Sequence, residues 1–164
     1  MNRPLIVDVH SHSFFPLWHE ELLKGGIARD GRAVVSDTFL PAWTVDGALR
    51  VMDAHGIAAS ILSIPNASPL MRRPDAPHVA RVVNEEFARI ISRHPGRFGA
   101  FALLPQNDFD AAIVESIHAL DILQLDGVGT SSHIDGTYLG DPVLDPWLAE
   151  LERRQARLFV HPGA

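Results

Sequence analysis

Short apolar runs alternate with amphipathic stretches along the whole chain, which is the pattern of a parallel sheet built from β-α units. The first run, Leu5-Ile6-Val7-Asp8-Val9-His10, predicts a strand. Thr44 is placed to cap a helix whose apolar positions Val45, Leu49 and Met52 recur at helical spacing, and Gly56 stands where a left-handed C-terminal residue belongs. Ile57 to Ile64 reads as a second strand, closed by Pro65. A long helix starts near Asp75, carries Val79, Val83, Phe87, Ile90 and Ile91 on one face and stops at His94-Pro95-Gly96. Phe98 to Leu104 is the third strand. Asn107 is the expected cap of a helix with Phe109, Ile113, Ile117 and Leu120 as its stripe, leading to a strand around Asp126 to Thr130. Asp141-Pro142 starts a further helix through Leu144, Trp147, Leu148 and Leu151, and Arg157 to His161 is the fifth strand. Between Phe14 and Trp43 the pattern breaks into a mixed stretch with Gly25-Gly26, Asp30-Gly31 and Pro41, read as a long loop of functional importance.

Five strands in strict alternation with helices suit either an open doubly wound sheet or part of an eight-stranded barrel. The loop after the first strand lacks a glycine-rich phosphate fingerprint, which removes the main support for the first. Histidines end the first and fifth strands, where barrel enzymes place their chemistry. The expected fold is therefore α/β, a TIM-type (β/α)8 barrel of which about five β-α units are present. A full barrel takes about 250 residues. With 164 residues, the chain is expected to be a single domain over 1–164, the N-terminal part of a barrel truncated after the fifth strand, or else one that must cover its open edge by association.

Composition narrows the function classes. The chain is 46% apolar and 21% charged, ordinary for a soluble domain. A net charge of −6 gives no basic footprint, so neither nucleic acid nor an anionic membrane is an expected partner. No apolar run is long enough to span a bilayer, and the location expected is cytoplasmic. Cysteine is absent, so a bound metal must be held by His, Asp or Glu.

Asp8-Val9-His10-Ser11-His12 is the sharpest local signal. Side chains two apart on a strand share a face, so both imidazoles can meet at one spot, which is half of a metal site. The alternative is a polar strand end with two exposed histidines; Asp8 either orients an imidazole or satisfies backbone donors. His161, at the end of the fifth strand, is the third candidate ligand. His133 follows the fourth strand on the loop side and is the candidate substrate contact. His55 and His94 suit the C-terminal ends of helices, His78 and His118 read as surface or packing residues, and Trp18 and His19 either pack the first loop or line the pocket. Arg29, Arg32, Arg72 and Arg73 are candidates for neutralising a substrate carboxylate, with surface solvation as the default. Neither a Gly-x-Ser-x-Gly elbow nor a phosphate loop is present, which leaves serine hydrolases and NTPases without their minimal parts.

Val7-Asp8-Val9-His10-Ser11-His12 with Phe14-Phe15-Pro16 resembles the start of the amidohydrolase-2 group of the amidohydrolase superfamily, the group of aminocarboxymuconate semialdehyde and 6-methylsalicylate decarboxylases. The likeness continues through Met52-Asp53-Ala54-His55-Gly56-Ile57, His94-Pro95-Gly96-Arg97-Phe98-Gly99, Tyr138-Leu139-Gly140-Asp141-Pro142 and Phe159-Val160-His161-Pro162. The resemblance implies one divalent metal, zinc first and manganese as the alternative, held by His10, His12 and His161. It also implies a further histidine and a proton-handling aspartate on strands that lie beyond residue 164.

The activity so implied is non-oxidative decarboxylation of a small aromatic or unsaturated carboxylic acid by the complete protein, an expected homo-oligomer, with the 164-residue chain turning over poorly or not at all. Two alternatives stand beside it. One is metal-dependent hydrolysis of a lactone, amide or ester on the same scaffold; the other is a non-catalytic truncated product.

Overall fold

The computed structural model describes residues 5–30, 32–35, 38–39, 41–65, 69–105 and 108–163. Five strands run in one direction: β1 (Ile6–His12), β2 (Ile57–Ser63), β3 (Phe98–Ala102), β4 (Gly127–Ser131) and β5 (Leu158–His161). They stand side by side in chain order, each pair parallel. That order separates the two architectures open to the sequence. A doubly wound sheet reverses its strand order at a switch point, whereas a barrel adds each new strand on the same side. The fold is α/β, a five-stranded parallel half-barrel.

The helices are α1 (Pro16–Lys24), α2 (Val45–His55), α3 (Ala76–Arg93), α4 (Phe109–Ile117) and α5 (Asp145–Arg153). The Thr44 side chain accepts the Gly47 N–H at 3.1 Å, and Gly56 closes α2 at φ 70°, a left-handed conformation that costs a glycine little. α3 packs Val79, Val83, Phe87 and Ile90 into the core with Phe15, Trp18, Leu22 and Leu62.

Several expected details shift. The stretch from Phe14 to Trp43 is not one loop. Pro16 opens α1, whose Trp18 and Leu22 are buried, and short antiparallel strands follow at Ala28–Arg29, Arg32–Val35 and Thr38–Phe39. Packing is thus the role of Trp18. β1 continues two residues past His10 and so carries His12 as well, while β3 stops at Ala102, short of Leu104. The cap of α4 is Asp108, which accepts the Ala111 N–H at 2.9 Å; Asn107 lies outside the described residues.

α4 also turns a different face inward. Ala112, Glu115 and Ser116 are its buried residues, followed by Ala119 in the next turn, while Phe109, Ile113, Ile117 and Leu120 are only part-buried. Small residues allow close approach, and the two polar groups are bonded: Trp147 Nε1 donates to Ser116 Oγ at 3.0 Å, and Arg81 and Asn84 donate to Glu115 at 2.8 Å each. Asp141 caps a 3-10 turn, Pro142–Leu144, that leads into α5.

Candidate metal centre

β1 and β5 are the two outer strands of the sheet, and side chains at their C-terminal ends nevertheless meet. His10 and His12, two apart on β1, direct Nε2 atoms to within 3.0 Å of each other. The His161 ring stands 5.2 Å from that of His10 and 5.1 Å from that of His12, centre to centre. One nitrogen from each of the three lies within 4.8 Å of the others. The structure therefore brings together the three histidines singled out in the sequence, from strands about 150 residues apart in the chain. The pairing of β1 with β2 is irregular between Asp8 and Ser11, beside these residues, and the Asp8 carboxylate accepts the His10 backbone N–H at 3.0 Å. Of the two roles open to Asp8, satisfying a backbone donor is the one observed.

The donor set suits a divalent cation. Nitrogens at roughly 2.0–2.1 Å from a tetrahedral ion stand about 3.4 Å from one another, and the cluster approaches that spacing. Ligation needs neutral imidazole. Burial, then the neighbouring His161 and His10, push the His12 pKa below its ordinary value and so favour the neutral form. The backbone carbonyl of Pro162 lies 2.9 Å from His161 Nδ1 and can only accept, so Nδ1 is the donor, and in the neutral imidazole Nε2 then keeps its lone pair for an ion. Among the described residues, no further His, Asp or Glu joins the cluster.

Apolar rings lie beneath it. Phe159 packs edge-on to His10 at 5.0 Å and stacks on Phe101 at 5.0 Å with 7° between planes. These three come from β1, β3 and β5, the alternate-strand layering of a barrel interior. Phe14 meets His12 at 5.8 Å. A cleft of about 400 Å³ opens beside His12, lined by Asp8, Ser11, Trp43, Thr44 and Ser60 among others; His10 and His161 do not reach it.

His133 is not in the cluster. It sits on a small hairpin, His133–Ile134 with Thr137–Tyr138, its ring 5.1 Å from that of Tyr138. The hairpin nevertheless touches the loop after β5: a Cβ placed on Gly163 would lie 2.9 Å from His133 Nε2. Ser132, which the sequence did not single out, binds that loop at two points. Its N–H donates to His161 O at 2.8 Å, and its Oγ accepts the Gly163 N–H at 2.9 Å. A serine beside a histidine gives no pattern that would flag it.

The remaining candidates lie elsewhere. Arg72 pairs with Asp135 at 3.1 Å, and Arg73 with Asp75 at 2.9 Å and with the Gly25 carbonyl at 2.9 Å. Arg29 and Arg32 sit on the short strands before α2. His19 lines a separate groove with Phe14, Leu23 and Trp43. His55 ends α2 and His94 ends α3. His78 lies within α3, and His118 opens a π turn after α4.

A family profile described as Amidohydrolase matches residues 7–164. Decarboxylase yanB of Aspergillus niger is 37% identical over 163 residues, covering 95% of this chain and 43% of that protein. The structure of 2,6-dihydroxybenzoate decarboxylase complexed with 2,6-dihydroxybenzoate is 27% identical with a TM-score of 0.70, covering 98% of this chain and 51% of that one. The 5-carboxyvanillate decarboxylase LigW of Sphingomonas paucimobilis, at 21% identity, shares the fold with a TM-score of 0.82, covering 98% of this chain and 52% of that one. The chain spans about half the length of the relatives it matches. No helix among the described residues is long and apolar enough to cross a membrane.

Proposed function

This chain belongs to the amidohydrolase family, and on that premise we propose that the whole protein is a metal-dependent, non-oxidative decarboxylase of a small aromatic carboxylic acid. The observation that carries the reading is the convergence of His10, His12 and His161 in a chain whose relatives bear decarboxylase names. Those three side chains are the ligands, with one divalent ion as cofactor. When bound, the ion supplies positive charge that orients substrate oxygens and offsets charge as the carbon–carbon bond breaks. His12 contributes a neutral imidazole because burial disfavours its charged form. His161 contributes Nε2, its other nitrogen being held by Pro162 O. Phe159 and Phe101 form an apolar floor of stacked rings next to His10. His133, on the hairpin that flanks the loop after β5, is the substrate contact from this half. The acid that protonates the ring carbon and a further histidine are proposed to stand on strands other than these five.

Two measurements test this. Calorimetric titration of the metal-free chain with Zn²⁺ should show binding that His10→Ala or His161→Ala abolishes. The full-length protein from its source cells should release carbon dioxide from 2,6-dihydroxybenzoate or a similar hydroxybenzoate, stop on chelation and recover with added metal. Hydrolysis of a lactone, amide or ester without carbon dioxide release would overturn the decarboxylase reading.

A further inference from the structure

The Pro162–Gly163 peptide is gripped at both ends. Its carbonyl faces His161 Nδ1 at 2.9 Å, and its N–H donates to Ser132 Oγ at 2.9 Å. Because a peptide unit is planar, a bond that fixes its N–H also fixes its carbonyl, which points the opposite way. The preceding residue is tied too, through the bond from Ser132 N–H to His161 O at 2.8 Å. The His133 ring packs against the same residue, and a Cβ on Gly163 would fall 2.9 Å from its Nε2.

We propose that Ser132 is a positioning residue for His161: its Oγ holds the Pro162–Gly163 peptide so that Pro162 O accepts from Nδ1, which in the neutral ring leaves Nε2 unprotonated and available to an ion beside His10 and His12. The inference rests on the metal-centre reading above. It deepens that reading by naming what selects the ligating tautomer, because a neutral imidazole left to itself distributes its proton between two nitrogens. A partner that orients a ligating histidine usually does so directly. Here a peptide bond stands between serine and imidazole, and the controlling residue comes from the neighbouring strand's loop.

The test is a comparison of wild type, Ser132→Ala and Ser132→Thr in the metal-free, ¹⁵N-labelled chain, at a pH above the imidazole range. Two-bond proton–nitrogen spectra show which ring nitrogen of His161 is protonated, the His161→Ala spectrum providing the assignment. Wild type should carry the proton on Nδ1. Ser132→Ala should move His161 towards the Nε2-protonated form and weaken Zn²⁺ binding by about 10-fold, while melting as the wild type does. Ser132→Thr keeps an acceptor oxygen and should restore both readouts. An Nε2-protonated His161 in the wild type, or a tautomer and Zn²⁺ affinity unchanged in Ser132→Ala, overturns the proposal. If the wild type binds no Zn²⁺ at all, the metal-centre reading fails, and the metal-free tautomer comparison still decides whether Ser132 controls His161.

Discussion

Asn84 has no exposed surface and spends its amide on the end of a strand. Its Oδ1 accepts the Leu103 N–H at 2.8 Å, and its Nδ2 donates to Leu103 O at 2.9 Å and to Glu115 Oε1 at 2.8 Å. The side chain thus imitates a neighbouring strand just past Ala102, where β3 ends, and holds the chain as it enters the βα loop on the same side of the sheet as His161. Glu115, only 3% exposed, is tolerable there because Arg81 and Asn84 satisfy both of its oxygens. Asn84→Ala would leave two backbone groups of Leu103 and one carboxylate oxygen without partners in a buried place. The expected loss is about 3 kcal/mol in urea unfolding, since each unpaired buried group costs on the order of 1–3 kcal/mol and some relaxation is allowed. A loss under about 1 kcal/mol would mean that water enters and replaces the amide.

At the ends of α2, sequence and structure agree residue by residue. Thr44→Ala removes the Oγ1 that takes the Gly47 N–H and should cost about 1 kcal/mol, read as a lower urea midpoint with unchanged slope. Thr44→Ser, which keeps the oxygen, should recover most of it. Such features were legible because they are local: a cap, a left-handed glycine and a stripe at helical spacing are all decided within a few residues. The metal candidates were legible for a similar reason, as His10 and His12 sit two apart on a strand and His161 ends another. α1 and α4 were not. In α1, Pro16 at the first helical position and the Trp18–Leu22 pair are a helix signal, obscured by the glycines and prolines that follow. In α4 the largest apolar residues suggested the buried face, yet the inward face carries alanines and two polar groups. Which face packs depends on partners such as Asn84 and Trp147, 31 residues away in either direction. Ser132 was hidden for the same reason, since its role exists only through the loop after β5.

Over the whole molecule, the unusual feature is what the sheet leaves uncovered. Leu5 is 79% exposed, and along β1 Ile6, Val7 and Val9 are 44%, 45% and 52% exposed; on β5 Val160 is 44% exposed. These are the outermost strands, each with one edge unpaired among the described residues, and open apolar edges invite pairing with other chains. Self-association of the 164-residue chain is therefore expected, and the histidine cluster restricts its form. Closing two five-stranded sheets into one ring would make a barrel of ten strands. Barrel girth grows with strand number, so β1 and β5 would have to separate and draw His161 away from His10, whose ring now lies 5.2 Å from it. A closed dimer and an intact cluster are thus in conflict. Without closure, edge pairing is open-ended and gives a broad distribution of sizes. Sedimentation velocity over a concentration series should show weight-average mass rising without a plateau at the dimer, and Val9→Lys combined with Val160→Lys should shift the chain towards monomer, because a charged lysine on an edge strand opposes pairing. A discrete dimer that still binds Zn²⁺ through the three histidines would show that the sheet can join to a second copy without widening, and the geometric conflict would then be wrong.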